Sequence, residues 1–346
     1  MDVGTQGLAS LVIARALVPR APWRAWAVIV IVGSIANVDV FSAMVGPSAF
    51  IEWHRTVAHS IVVSLIVSTT LASAYIWATR DTPEEKTPAG VPALPKAPRS
   101  ALFVAVIFAG LLHSGLDAGQ SDGTMILWPL SRQRVALDWL PHIDAWIIAI
   151  LLAALLLPEL TRLVTDEIGA KARGARGRVG AIVGLVILAL YVGMRADLHS
   201  NAIATLQNRS YDTGAPHRVA AYADGGSPFL WHGIVETERA LHELDVGIFA
   251  GSAFDSDSGV TLFKPEPSPI LDQAQRTEAA KKFLAAAQFP KADIEKTADG
   301  YEVELRDLRY AGIGETQREI RAQIELDANG KILNDELIWA RNAKPR

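Results

Sequence analysis

His113 and Asp117 stand four residues apart in FAGLLHSGLDAG, a spacing that puts two side chains one turn apart on one face of a helix. Imidazole nitrogen beside carboxylate oxygen is a donor set for zinc or another first-row divalent ion, and a hydrolytic site adds an open position for water. A second pair, His54 and His59, lies in HRTVAHS. Five apart, these two converge if His54 sits in a loop and a helix starts near Thr56, a residue type suited to N-capping. Asp39 in GSIANVDVFSAMV and Arg55 complete the set of polar groups embedded in apolar sequence. Each has a plainer reading as well: a helix-packing contact for the H-x-x-x-D pair, a hydrated interfacial loop for HRTVAHS, a counter-ion of Arg55 for Asp39.

The elements that must position these groups are membrane helices. The 346 residues are 50% hydrophobic yet 20% charged, with mean hydropathy +0.21, and the two characters separate along the chain. Apolar runs fill residues 1–197, whereas 198–346 has the polar density of a soluble domain. Segments 25–45, 57–78, 101–118 and 143–164 approach the length of a hydrocarbon core, and 179–194 is shorter but almost wholly apolar. A first run, 8–18, is a short crossing or a half-membrane helix, so the expectation is five to six segments. Arg20, Arg24, Arg80, Lys86, Lys96, Arg99, Lys171, Arg173, Arg176 and Arg178 fall in loops on one side; the opposite loops hold Arg55, Arg132 and Arg134. The positive-inside rule puts the first set in the cytoplasm, and hence residues 198–346 in the periplasm of a bacterial inner membrane. Asp39, His54, His59, His113 and Asp117 then all reach the outer face, which favours a shared polar site, since ionisable groups in membrane helices are costly unless paired or ligated.

The net charge of −4 carries no basic footprint for nucleic acid. Cysteine is absent, which excludes disulfides, thiolate metal sites and cysteine nucleophiles. The N-terminal stretch lacks the order of a cleavable signal peptide, so it reads as mature structure. Trp128, Trp139 and Trp146, with Pro129 and Pro141, form an aromatic belt at an interface; Asp138 and Asp144 flank it as partners a ligand histidine could use.

MDVGTQGLASLVIARAL, ANVDVFSAMVG, WHRTVAHS and LLHSGLDAGQSDGTMILWPLSRQRVALDWLPHIDAW together resemble the YdjM/YbcI-type family of membrane-bound metal-dependent hydrolases, in its long form with a C-terminal extracytoplasmic domain. The resemblance spans roughly residues 1–195 and rests on the order and spacing of several motifs. It implies a metal site at His54, His59, His113, Asp117 and Asp39, with zinc the first candidate, Asp39 as ligand or base, and Arg55 stabilising an oxyanion or anchoring lipid phosphate. The place of such a site at the outer membrane face in turn implies as substrate a phosphoester or another amphiphilic, lipid-linked molecule. Two positions depart from the pattern: Gln6 stands where the family has histidine, and Asn37 where it has the first aspartate of D-x-D. Both changes lower affinity for a divalent ion, which keeps open an alternative from another class, a non-catalytic membrane scaffold or interaction protein with a degraded site. A transporter is less favoured, because the segments show no inverted repeat.

The second half reads as one α+β domain. HRVAAYAD, WHGIVETERALHELDV, GYEVELRDLRYAG, QREIRAQIELD and KILNDELIW alternate as half-buried strands of an antiparallel sheet, TEAAKKFLAAAQF is an amphipathic helix stopped before Pro290, LHSNAIATLQNRS continues the last membrane helix, and KPEPSPI is a linker or loop. His199, His217, His232 and His242 have no ligand spacing and read as surface or strand-edge residues. Covering the membrane site, capturing substrate and binding a partner all remain open as roles for this domain.

Overall fold

The computed structural model describes residues 1–80, 98–167, 177–248, 259–310 and 318–341. Among the loop cations that set the expected topology, Lys86, Lys96, Lys171, Arg173 and Arg176 lie outside the described residues, as does the end of the GYEVELRDLRYAG segment. The chain forms two compact units, 1–39 with 55–196, and 40–54 with 197–346.

The first unit is helical. Its elements are α1 (Val3–Leu17), α2 (Trp23–Ser34) running into a 3-10 segment (Ile35–Met44), α4 (Ile61–Ala78), α5 (Arg99–Ala118), α6 (Ala145–Glu167) and the first part of α7 (Arg178–Gln207). Trp23–Met44, Ile61–Ala78, Arg99–Ala118 and Arg178–Gln207 are long and apolar enough to cross a membrane, and Val3–Leu17 and Ala145–Thr161 are shorter apolar helices. α1 is the packing centre. Val12 and Ala16 meet Ile147, Leu151, Ala181 and Leu188 of α6 and α7, while Ile13 and Ala14 meet Ile29 and Val32 of α2 and Ala105 and Val106 of α5. A helix buried on nearly every side has little amphipathic signal, and α1 rises only about 22 Å over its length. It is held from outside its own sequence. Small residues let the helices approach closely: a Cβ built on Gly33 of α2 would stand 1.9 Å from Ser10 Oγ, and one on Gly110 of α5 would stand 2.6 Å from Ser68 Oγ.

α4 begins later than Thr56 suggests. Thr56 makes no side-chain cap and precedes a single 3-10 turn, Val57–His59; Ser60 is the N-cap, its Oγ accepting from Val63 N at 3.1 Å. A Ser at the boundary satisfies a donor that the threonine, one turn too early, cannot reach.

The second unit contains two antiparallel four-stranded sheets. The first comprises β1 (Arg218–Ala223), β2 (Leu230–Glu236), β3 (Ala240–Gly247) and β4 (Val260–Phe263); the second comprises β5 (Pro290–Lys296), β6 (Gly300–Asp307), β7 (Arg318–Asp327) and β8 (Ile332–Arg341), each in sequential order. Trp231, Val235 and Leu244 of the first sheet pack on Ala202 and Leu206, the helical continuation of α7. The second sheet buries Val303, Leu305, Ala322 and Ile324 under α8 (Pro269–Gln275) and α9 (Glu278–Ala286), which together occupy the stretch read as one amphipathic helix and its flank. Ala220, Ile234, Leu241, Phe289 and Leu308 join the sheets into one core. The short helix α3 (Pro47–Trp53) belongs to this unit too: Lys282 of α9 bonds Ser48 Oγ at 3.0 Å and Glu52 Oε1 at 2.7 Å, and Phe50 meets Trp339 edge-on at 5.3 Å.

Candidate metal centre

The last turn of α5, the 3-10 turn before α4 and the 3-10 continuation of α2 bring His113, Asp117, His59 and Asp39 together. Among the described residues, His59, His113 and Asp117 form a group of potential ligands whose donor atoms all lie within 4.8 Å of one another, and all three are buried. His59 Nδ1 is 2.6 Å from Asp117 Oδ2 and 3.1 Å from His113 Nε2, and His113 Nε2 is 3.1 Å from the same Asp117 oxygen. The i, i+4 spacing of His113 and Asp117 accounts for half of this cluster. Ser114, one position on, faces elsewhere and bonds Ser64 Oγ at 2.8 Å.

The outward nitrogen of each ring is also engaged. His113 Nδ1 donates to the carbonyl of Gly33 at 2.8 Å, and His59 Nε2 lies 3.0 Å from Asp39 Oδ2. A neutral imidazole has one N–H, so the bond to Gly33 leaves the lone pair of His113 Nε2 facing His59 and Asp117, while His59 lies between two carboxylates and can give its N–H to either. The fixed tautomer with its far nitrogen on a carbonyl or carboxylate is the usual support of a metal-ligating histidine. Two nitrogens and a carboxylate oxygen on adjacent elements fit zinc and other borderline divalent ions.

Asp39 therefore stands behind His59. Its Oδ2 also accepts from the backbone N–H of Arg55 at 2.6 Å, closing the excursion of residues 40–54 at its neck. Arg55 has φ 56°, left-handed for a residue with a side chain, and this turn aims its N–H at Asp39 while its carbonyl accepts from Met125 N at 3.1 Å and Thr124 Oγ1 at 3.3 Å. Its guanidinium, almost fully buried, donates to Gln120 Oε1 and lies 3.7 Å from Asp122 Oδ2. His54 is in the second unit, stacked on Phe50 with ring centroids 4.2 Å apart.

Gln6 lies against the cluster: its Nε2 is 3.4 Å from Asp117 Oδ1 and 3.5 Å from the His113 carbonyl oxygen. The Met1 amino group also reaches Asp117, and donates to Gln120 Oε1 at 2.7 Å. Asn37 Nδ2 is buried with no hydrogen-bond partner among the described residues.

Sequence reasoning passed over Gln120, Asp122 and His142. Gln120 is fully buried; it accepts from Arg55 and Met1 through Oε1 and donates through Nε2 to the carbonyls of Pro141 at 2.7 Å and His142 at 3.2 Å. His142 Nε2 lies 3.3 Å from Asp122 Oδ2. For Gln120 and Asp122 the available signal was their position three and five residues beyond Asp117, at the helix exit. Asp144 serves other ends, capping α6 through Trp146 N and Ile147 N at 2.9 and 3.1 Å and accepting from Tyr191 Oη at 2.9 Å. Asp138 holds a left-handed backbone, φ 59°. Trp146 is exposed at the start of α6, as a belt residue requires, whereas Trp128 and Trp139 are half-buried. In the second unit His242 is not at the surface: it is buried on the interior strand β3, its Nε2 2.6 Å from Thr213 Oγ1 and its Nδ1 3.1 Å from Thr261 Oγ1.

A family model described as YdjM inner membrane protein matches residues 1–201, and one described as YfhP C-terminal alpha/beta plait domain matches residues 269–345. No curated protein and no solved structure matches the chain.

Proposed function

Given that the chain belongs to the YdjM inner membrane protein family, we propose that it is a membrane-bound, metal-dependent hydrolase whose site takes a phosphoester or another lipid-linked, amphiphilic substrate at the outer face of the inner membrane. The observation that carries this reading is the convergence of His59 Nδ1, His113 Nε2 and the Asp117 carboxylate, with the far nitrogen of each ring already engaged. These three residues would hold the ion, zinc first among candidates. A bound ion of this kind lowers the pKa of a water and polarises a phosphoryl or acyl oxygen. Asp39, through His59 Nε2–H, fixes the ring that presents Nδ1, so its part is positioning. Arg55, held by Gln120, supplies a buried positive charge beside the site for a developing oxyanion. The loop distribution of Lys and Arg supports a periplasmic second unit.

Metal analysis of the detergent-purified full chain tests this directly. Wild type is expected to carry close to one equivalent of zinc, manganese or iron, and the paired variant His113→Ala with Asp117→Ala to lose it. Wild type without stoichiometric metal would sink the hydrolase reading.

A second reading is favoured by Gln6 and Asn37. A carboxamide on Asp117 in place of an imidazole, and a carboxamide whose nitrogen finds no partner in place of a carboxylate, describe a scaffold that kept the fold and weakened the metal. Gln6→His with Asn37→Asp is expected to raise metal occupancy; unchanged occupancy would mean that these two positions do not govern binding.

A further inference from the structure

The loop 127–134, LWPLSRQR, is not used by the chemistry above, and three observations about it point the same way. Its first four side chains are apolar and two of them stand well exposed: Leu130 is 87% accessible and Leu127 49%, and Ile143 and Trp146 at the start of α6 are exposed as well. Three of its backbone donors are paired within the turn. Trp128 N donates to the Met125 carbonyl at 3.0 Å, Leu130 N and Ser131 N to the Leu127 carbonyl at 2.9 and 3.2 Å, and Pro129 has no N–H to satisfy. Its distal limb then carries Arg132, exposed, and Arg134, two of the three arginines in the loops at this end of the helical unit.

An apolar tip with these donors already paired exposes fewer polar groups when it seats at the membrane interface, where its remaining carbonyls can still meet water and headgroups. Guanidinium groups directly behind such a tip match the phosphate level of a leaflet, with planar donors suited to phosphate oxygens. The loop is also continuous with the membrane-spanning part of the fold, because Ile61 N at the start of α4 donates to the Ile126 carbonyl at 3.0 Å. We infer that residues 127–134 form an interfacial anchor: Leu127, Trp128 and Leu130 seat in the leaflet at the site end of the helices, and the exposed Arg132 binds the phosphate of anionic phospholipid. The anchor hangs from the site itself, since Met125 N and Thr124 Oγ1 both hold the Arg55 carbonyl. Lipid engaged by the loop is thereby placed beside the buried cluster.

The chain has no cysteine, so single-cysteine labelling of the full-length protein reads the loop without further substitution. Leu130→Cys, carrying an environment-sensitive fluorophore, is compared with Asn329→Cys in the exposed β7–β8 turn, in nanodiscs of phosphatidylcholine alone and with phosphatidylglycerol. At Leu130 the expected result is blue-shifted emission, loss of quenching by aqueous iodide and gain of quenching by shallow lipid-borne quenchers; at Asn329 none of these. Phosphatidylglycerol should deepen the Leu130 signal, and Arg132→Glu should abolish that increment. Iodide quenching at Leu130 equal to that at Asn329 overturns the anchor. A signal indifferent to phosphatidylglycerol, or to Arg132→Glu, overturns the assignment to anionic headgroups. None of these readouts depends on metal content, so the failure of the hydrolase reading and the failure of this one are separable.

Discussion

His59 and His113 each spend both ring nitrogens, one on the cluster and one on a neighbour outside it, Asp39 for His59 and the Gly33 carbonyl for His113. An ion held by these residues would depend on the bonds behind the rings, and support of this kind is worth about 10–100-fold. Asp39→Asn keeps the size of the side chain while exchanging a carboxylate for a carboxamide, and zinc affinity measured by competition with a chromophoric chelator is expected to fall by about that factor; an unchanged dissociation constant would remove Asp39 from the support of His59. In the second unit the instructive residue is Glu243 on β3, buried, with Oε1 lacking a hydrogen-bond partner among the described residues. Burial pushes its carboxyl above the ordinary glutamate value, against the pull of His232, Arg306 and Lys291; Glu319 is raised by burial in the same way. The folded state thus holds these protons more tightly than the unfolded chain, so stability falls as pH rises from the unfolded glutamate value through the folded one. Glu243→Gln, which stays neutral, should raise the melting temperature of the purified chain at neutral pH and leave it nearly unchanged below about pH 4, the range where glutamate is protonated in either state. Equal shifts at both pH values would point to packing instead of ionisation.

At the scale of elements, the cluster depends on how closely α1, α2 and α5 approach. Gly33 both admits Ser10 of α1 and lends its carbonyl to His113, so one residue links helix packing to ligand orientation. Gly33→Ala puts a Cβ 1.9 Å from Ser10 Oγ and should destabilise the detergent-solubilised protein by about 1–3 kcal/mol, as overpacking does. Metal occupancy should drop with it, and Ser10→Gly on the same chain should restore both; without rescue, the close approach is not what Gly33 provides. Elements differed in how readily they could be read. The long spans were legible because an uninterrupted apolar run has few alternatives to a membrane helix. β5 was missed because PKADIEK opens on proline and is largely polar, and β4 because four residues hold too little pattern. The entry to α4 was misread by one turn, since Thr56 and Ser60 are both acceptable caps and only the chain path toward His59 selects the serine.

The whole molecule joins a YdjM-type helical unit to a two-sheet unit, with α7 continuing past Ala196 into the second and residues 40–54 assigned to it between two site residues, Asp39 and Arg55. Orientation belongs to this scale: on Asn329→Cys, a membrane-impermeant maleimide should label intact spheroplasts as fully as permeabilised ones, and labelling only after permeabilisation would invert the topology. By itself the sequence determined that this is a helical membrane protein with a following α+β region and that His113 and Asp117 share a helix face. Those properties follow from run length, helical period and side-chain chemistry, which are local. Tertiary structure alone decided that His59 joins the cluster while His54 stacks on Phe50, that Asp39 stands behind a histidine, and that Gln120 ties Arg55 to the site. A five-residue spacing across a bend is compatible with many directions, and the path of the chain through its packed neighbours selects one.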